Sequence, residues 1–261
     1  MSNSAANPDR PLEPHLKAIV IGASSGIGES LGRVLAAQGY LVALVARREE
    51  KLNQIRDEIN KENQGSARAF SYQHDVSHYE QVPELLQQIA NDLGGLDLIV
   101  YLAAYQPPMT EDEYNFAKDK EMFEVNVLGA MAWLGQAAHR FAMAGAGHIV
   151  AVSSIAGERG RRPNPGYNSS KSALNTYIEG LRNRLSQHGI AVTTIKPGFV
   201  DTALLANAQK TMWVISPDKA AEGILKAIQK RKQVSYIPGR WRWVSLVITH
   251  IPSFVFRRLN I

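Results

Sequence analysis

Short unbroken apolar runs take turns with longer stretches of helical spacing from residue 16 to residue 237. Leu16 to Ile21 is such a run, ending in a glycine turn, and predicts a buried first strand. Ile27 to Gln38 has helical periodicity and stops at Gly39; Tyr40 to Ala46 reads as a second buried strand. A charged amphipathic helix over Glu49 to Asn63 ends before Gly65, and a third strand, Ala67 to Gln73, leads into Asp75-Val76. Helix Tyr79 to Leu93 ends at Gly94-Gly95, and Leu96 to Ala103 forms strand four. The spacing then predicts one long helix over Phe116 to Ala144, strand five over His148 to Ser153 and a second long helix over Tyr167 to His188. Strand six covers Ile190 to Ile195, and helix Ser216 to Lys230 precedes a short strand, Val234 to Ile237. Alternation at this spacing implies right-handed crossovers and a mostly parallel, seven-stranded sheet covered on both faces: a single α/β domain over residues 16–237. Residues 1–15 form a polar tail and residues 238–261 a basic, aromatic one.

Composition narrows the function classes. A chain of 261 residues with 45% hydrophobic and 20% charged content suits one large globular domain. It has no cysteine, so a disulfide framework, a thiolate metal site and a cysteine nucleophile are all excluded, and no metal site is expected. That fits a reducing, cytoplasmic location. Met1 to His15 contains Pro8, Pro11 and Pro14 and lacks the apolar centre of a signal peptide. The balance of 29 basic against 24 acidic residues, net +5, suits phosphate-bearing cofactors, acidic partners or anionic lipid. No basic tract interleaved with aromatics suggests a nucleic-acid partner.

The turn Gly22-Ala23-Ser24-Ser25-Gly26-Ile27-Gly28 follows a strand and opens a helix. Glycines there let backbone approach a pyrophosphate with no Cβ in the way, while the helix N-terminus offers free amides. The spacing is Gly-x3-Gly-x-Gly rather than Gly-x-Gly-x2-Gly. Arg47 and Arg48 follow strand two directly, and Ala46 supplies no carboxylate for a ribose 2′-hydroxyl. A guanidinium at that point suits a 2′-phosphate, so NADP(H) is the expected cofactor.

Tyr167 and Lys171 stand four residues apart, sharing a helix face. A phenol has a reference pKa of about 10, and a neighbouring positive charge lowers it toward a useful range for proton transfer. Ser154 lies thirteen residues upstream of Tyr167. With Asp75-Val76, Asn126 and Pro197-Gly198, these marks make the chain resemble the short-chain dehydrogenase/reductase family across Leu16 to Ile237. The resemblance implies a doubly wound Rossmann fold and a carbonyl/alcohol oxidoreductase. Tyr167 would then be the general acid/base, and Lys171 would depress its pKa and bond the nicotinamide ribose. Ser154, rather than Ser153, would bond the substrate oxygen, the offset to Tyr167 deciding between them. Asn126 would kink its helix and anchor a water linking Lys171 to solvent. Gly22, Ser24, Ser25, Gly26, Ile27 and Gly28 would hold the pyrophosphate, Asp75 and Val76 would contact adenine, Val200 and Thr202 would meet the nicotinamide carboxamide, and Ala103, Pro197 and Gly198 would be further cofactor contacts. The resemblance further implies a homodimer or homotetramer paired through the two long helices. Two departures stand out: Ile21 replaces a Thr before the turn, and Tyr101-Leu102-Ala103-Ala104 replaces Asn-Asn-Ala-Gly.

On the substrate side, the loop Phe199 to Ile215 carries Leu204, Leu205, Met212 and Trp213, which either cover a hydrophobic substrate or pack the loop down. Arg159, Arg161 and Arg162 either recognise an acidic group or form a solvated basic loop. A 3-oxoacyl-thioester reductase and a non-catalytic NADP-binding sensor or scaffold are the alternatives. The tail mixes Trp241, Trp243, Leu246, Val247, Ile248, Phe254, Val255 and Phe256 with Arg240, Arg242, Arg257 and Arg258. Interrupted by His250 and Pro252, it is too short to span a bilayer, and either lies at a membrane interface or packs on the protein itself.

Overall fold

The computed structural model describes residues 16–63, 67–207 and 211–259. The polar tail and the helix stop expected at Gly65 lie outside them. Seven strands form one all-parallel sheet: β1 (Lys17–Ile21), β2 (Leu41–Ala46), β3 (Ala69–Gln73), β4 (Leu98–Tyr101), β5 (His148–Val152), β6 (Ala191–Pro197) and β7 (Val234–Ile237). Their order is β3-β2-β1-β4-β5-β6-β7. The strands read as unbroken apolar runs because both sheet faces are buried. Ile19 and Ile21 of β1 point into one core, and Ala18 and Val20 point into the other.

Helices cover both faces. On one lie α1 (Gly26–Ala37), α2 (Glu49–Glu62) and α7 (Pro217–Gln229), contributing Leu31, Leu35, Leu52, Ile59 and Ile224. On the other lie α3 (Val82–Asp92), α5 (Gly129–Ala144) and α6 (Pro165–Leu185), contributing Ile89, Trp133, Phe141, Leu174 and Ile178. Chain order reverses direction across the sheet between β1 and β4. That switch opens a crevice beyond the carboxyl ends of these strands, where α/β folds place their ligands.

Two expected helices differ in form. The stretch from 116 to 144 is α4 (Phe116–Phe123), a π-helical turn over Glu124–Leu128, and α5. Asn126 occupies that turn, so the expected kink is a widened turn with an identifiable cause. Its amide donates to the Tyr105 carbonyl and to Ser170 Oγ, both at 3.0 Å, and its Oδ1 accepts from Tyr105 N–H at 2.7 Å. The helix expected from Tyr167 begins two residues earlier, at Pro165. Asn164 caps it by accepting from Tyr167 N–H at 2.8 Å, and Pro165 fills the first position, which needs no donor.

The C-terminal segment folds back as α8 (Trp241–His250) and a single turn, α9 (Ser253–Phe256). Packing is the observed fate of its inner side. Trp241 is buried against Gly198, where a Cβ would stand 1.9 Å from the indole nitrogen. Arg159 donates to the carbonyls of Ile248 and Ile251 and lies 3.9 Å over the Phe256 ring, and Arg162 donates to the Arg257 carbonyl.

Candidate active site

At the end of β1 the chain turns at Gly22, whose φ is +92°. A Cβ there would sit 2.6 Å from the Ala103 nitrogen, so only glycine permits this approach to the end of β4. Ser25 precedes α1 without capping it, which leaves the first-turn amides available to an anion. The Ser25 hydroxyl accepts instead from Arg48 at 2.7 Å, and Ser24 Oγ accepts from the same guanidinium at 2.9 Å. Arg48 is thus pinned over the glycine turn. Arg47, exposed like Arg48, faces Asp75 at 3.7 Å; Asp75 also accepts from the Ser77 amide and hydroxyl.

Strand β5 ends beside α6, which brings Ser154, Tyr167 and Lys171 together. Ser154 Oγ accepts from Ala156 N–H at 3.0 Å and meets the Tyr167 phenol. Ser153 points away: it is buried and donates to the Lys171 carbonyl, a structural bond that leaves Ser154 as the hydroxyl at the phenol. Lys171 is buried, its Nζ donating to the Val152 carbonyl at 3.2 Å and lying 5.8 Å from the Tyr167 ring centre.

The electrostatics of Tyr167 and Lys171 are set first by their burial. Burial pushes the Tyr167 phenol up to about 12, against smaller lowering effects from Ser154 and Arg161. Burial likewise brings Lys171 down to about 8. In the protein alone, desolvation is the largest influence on both groups. Tyr167 is therefore firmly protonated at neutral pH.

One cleft of about 1050 Å³ joins these parts, at the upper end of the usual size of small-molecule sites. It is bordered at one end by Gly22, Ser24, Ser25, Gly26, Ile27, Gly28, Arg47, Arg48, Asp75, Val76 and Ala103. Ser154, Tyr167, Lys171, Pro197, Gly198, Val200 and Thr202 border its centre. Every expected site residue is there except Asn126, which is wholly buried and bonds to the cleft-lining Tyr105 and to Ser170. Leu204, Leu205 and Met212 also line it, whereas Trp213 packs edge-on against Trp241 with ring centres 5.4 Å apart. Of the three loop arginines, Arg159 and Arg161 border the cleft; the Arg159 guanidinium is spent on the Ile248 and Ile251 carbonyls, and burial lowers the pKa of Arg161. Sequence reasoning missed the cleft-lining residues Val244, Ser245 and Ile248 of α8 and Glu158, whose carboxylate holds Lys196 and the Tyr236 hydroxyl, each at 2.8 Å. Only the helical spacing of the tail residues hinted at a buried side.

The family model for short chain dehydrogenase matches residues 17–213. This chain belongs to the short-chain dehydrogenase/reductase family. Among curated short-chain relatives, an uncharacterized oxidoreductase of Staphylococcus aureus strain USA300 is 31% identical over 219 residues, covering 84% of this chain and 93% of that protein. Among solved structures, ElxO with NADP bound superposes with a TM-score of 0.76 at 22% identity, covering 86% of this chain and 97% of the other. A variant of actinorhodin polyketide ketoreductase with NADPH gives 0.74 at 23% identity over 82% and 90% of the two chains. At such identities these two structures speak for the short-chain dehydrogenase fold alone.

Proposed function

We propose that this protein is an NADP(H)-dependent oxidoreductase that interconverts a carbonyl and an alcohol on a hydrophobic substrate, with residues 16–237 as its catalytic unit. The observation that carries the reading is the Ser154–Tyr167 hydroxyl pair, with Lys171 buried one helical turn on, in the same cleft as a glycine turn topped by Arg48. The residues fit the cofactor: the Cβ-free approach at Gly22, the uncapped start of α1 and the pinned guanidinium would hold its pyrophosphate and 2′-phosphate. Two proteins of the same fold were solved with NADP or NADPH, which is consistent with that cofactor but rests on likeness of fold. When bound, the nicotinamide supplies or accepts the hydride.

The chain's own residues handle the proton. In carbonyl reduction Tyr167 gives its phenolic proton to the substrate oxygen while Ser154 donates a second hydrogen bond to it, stabilising the charge that develops there. Lys171, the nearest cation on the same helix face, offsets the phenolate left behind. Asn126 holds this arrangement by tying the loop at Tyr105 to Ser170, next to Lys171.

A 3-oxoacyl-thioester substrate is a second reading, favoured by one observation. Arg161 places a desolvated positive charge beside Tyr167, and no ion pair engages it among the described residues. Arg159 and Arg162 no longer contribute to that argument, since both hold the tail. Homodimer or homotetramer pairing through α5 and α6 belongs to the same proposal, with Leu128 and Met131 exposed at the start of that surface.

Tyr167→Phe keeps the ring and removes the transferable proton, so turnover falls by about 10²–10⁴-fold while NADPH binding survives. NADPH oxidation against aldehydes, ketones and 3-oxoacyl thioesters reads the first, and fluorescence titration of NADPH the second. Near-normal turnover in the variant overturns the assignment. Cofactor binding without turnover in the parent leaves the sensor or scaffold reading instead.

A further inference from the structure

We propose that the C-terminal segment is a membrane-docking element: the outer side of α8 and α9 lies in the headgroup region of an anionic bilayer, beside the mouth of the cleft. The charge distribution is the first observation. From Pro238 to the end the chain carries Arg240, Arg242, Arg257 and Arg258 and no acidic residue. The rest of the molecule is nearly balanced, at 25 basic against 24 acidic residues, so the net +5 resides almost wholly in this segment. All four arginines are exposed.

The second observation is what lies between them. The inner side of α8 is already satisfied, with Trp241 and Ser245 buried. Outward it presents Trp243, 67% exposed, with Leu246 and Val247, 62% exposed, and α9 presents Phe254, 60% exposed, with Val255. An apolar face edged by arginine and tryptophan is the pattern that settles at headgroup level. At ten residues, α8 is about 15 Å long, half the hydrocarbon thickness, so it lies in the plane of the interface. No described helix is long and apolar enough to cross a membrane.

A second copy of the chain is a poorer occupant. A two-fold contact through this face would bring eight arginines together with no carboxylate from either segment to neutralise them. Anionic lipid supplies the missing charge and the apolar environment together.

Third, Val244, Ser245 and Ile248 border the cleft from the inner side of α8. One helix therefore faces the cleft on one side and lipid on the other, and a lipophilic substrate reaches the cleft from the bilayer without crossing bulk water. This last step rests on the function proposed above; the docking itself does not.

The test uses the full chain and vesicles of phosphatidylcholine mixed with phosphatidylglycerol, against phosphatidylcholine alone. The protein is expected to co-sediment with the mixed vesicles at low salt, to release as salt rises, and to ignore the neutral ones. A variant carrying Arg240→Gln, Arg242→Gln, Arg257→Gln and Arg258→Gln should lose about 10²–10³-fold in partitioning. Trp243→Ser with Val247→Ser and Phe254→Ser should also detach, with the same melting temperature as the parent because these side chains are exposed. Lys51→Gln, Lys61→Gln, Lys230→Gln and Lys232→Gln remove equal charge elsewhere and should leave binding in place. A parent that stays in the supernatant at low salt overturns the proposal, as does equal weakening by the lysine set. So does an apolar-face variant that changes oligomeric size in light scattering while the parent ignores vesicles, since the face is then a subunit contact. None of these outcomes touches the turnover test of Tyr167.

Discussion

Lys171 is an ammonium enclosed by the protein, and burial lowers its pKa from 10.5 to about 8. In the unfolded chain it keeps its ordinary value. Between those two pH values the unfolded state binds more protons, so this group makes stability rise as pH climbs through the window. Below about 8 the folded state bears the full cost of the enclosed charge. Lys171→Met should therefore unfold at higher denaturant than the parent at pH 7. The advantage should shrink toward pH 10, by about 3 kcal/mol in all, while turnover collapses. Urea titrations at the two pH values decide it, and a variant less stable at both contradicts the account. Arg48 carries a second prediction. Arg48→Ala should weaken NADPH by about 10–100-fold, the worth of a lost charge-assisted bond, and change NADH far less. Arg47→Ala should do less, because Arg47 faces the Asp75 carboxylate rather than the glycine turn. Equal losses for both cofactors would show that Arg48 only props the turn. Residue types were legible in the sequence at both places. Which of two adjacent arginines meets the glycine turn was not, because that depends on where Ser24 and Ser25 come to rest.

At the scale of elements, the long helix of residues 116–144 is the informative case. Its periodicity predicts one unbroken helix, because a single widened turn barely disturbs the spacing of apolar positions. The π turn is held by partners distant in sequence: Asn126 on Tyr105 and Ser170, and the fully buried Tyr101, whose hydroxyl donates to the Val125 carbonyl at 2.6 Å. The departure at Tyr101 thus gains a role in anchoring the turn that carries Asn126. Tyr101→Phe leaves that carbonyl without its donor and should cost about 1–3 kcal/mol. If the turn shifts, kcat falls while the NADPH dissociation constant stays put. Thermal melts and steady-state kinetics read the two effects, and a variant equal to the parent in both removes Tyr101 from this role. The start of α6 is legible in the sequence: Asn164-Pro165 is a cap followed by a first-position proline, two residues ahead of Tyr167.

Across the whole molecule, the order of strands and helices, the parallel sheet and the glycine turn were all written locally. Apolar runs buried on both faces, helical stripes and turn glycines are properties of neighbouring residues, and they survive whatever the rest of the chain does. The four-residue spacing of Tyr167 and Lys171 belongs with them, since any helix puts those side chains on one face. Other features arose only when distant segments met. The offset to Tyr167 already favoured Ser154, but what Ser153 does instead, donating to the Lys171 carbonyl, depends on how β5 ends against α6. The phenol rises to about 12 because packing removes water from it, and desolvation is invisible in a list of neighbours along the chain. The tail, ambiguous between packing and lipid as a sequence, has two sides in the fold. Arg159 and Gly198, both from outside the tail, fix which residues turn inward to the cleft and which are left facing out. Local patterns decide what each segment is. Contacts between residues 89 and 92 positions apart, such as Arg159 with Ile248 and Ile251, decide what the segment does.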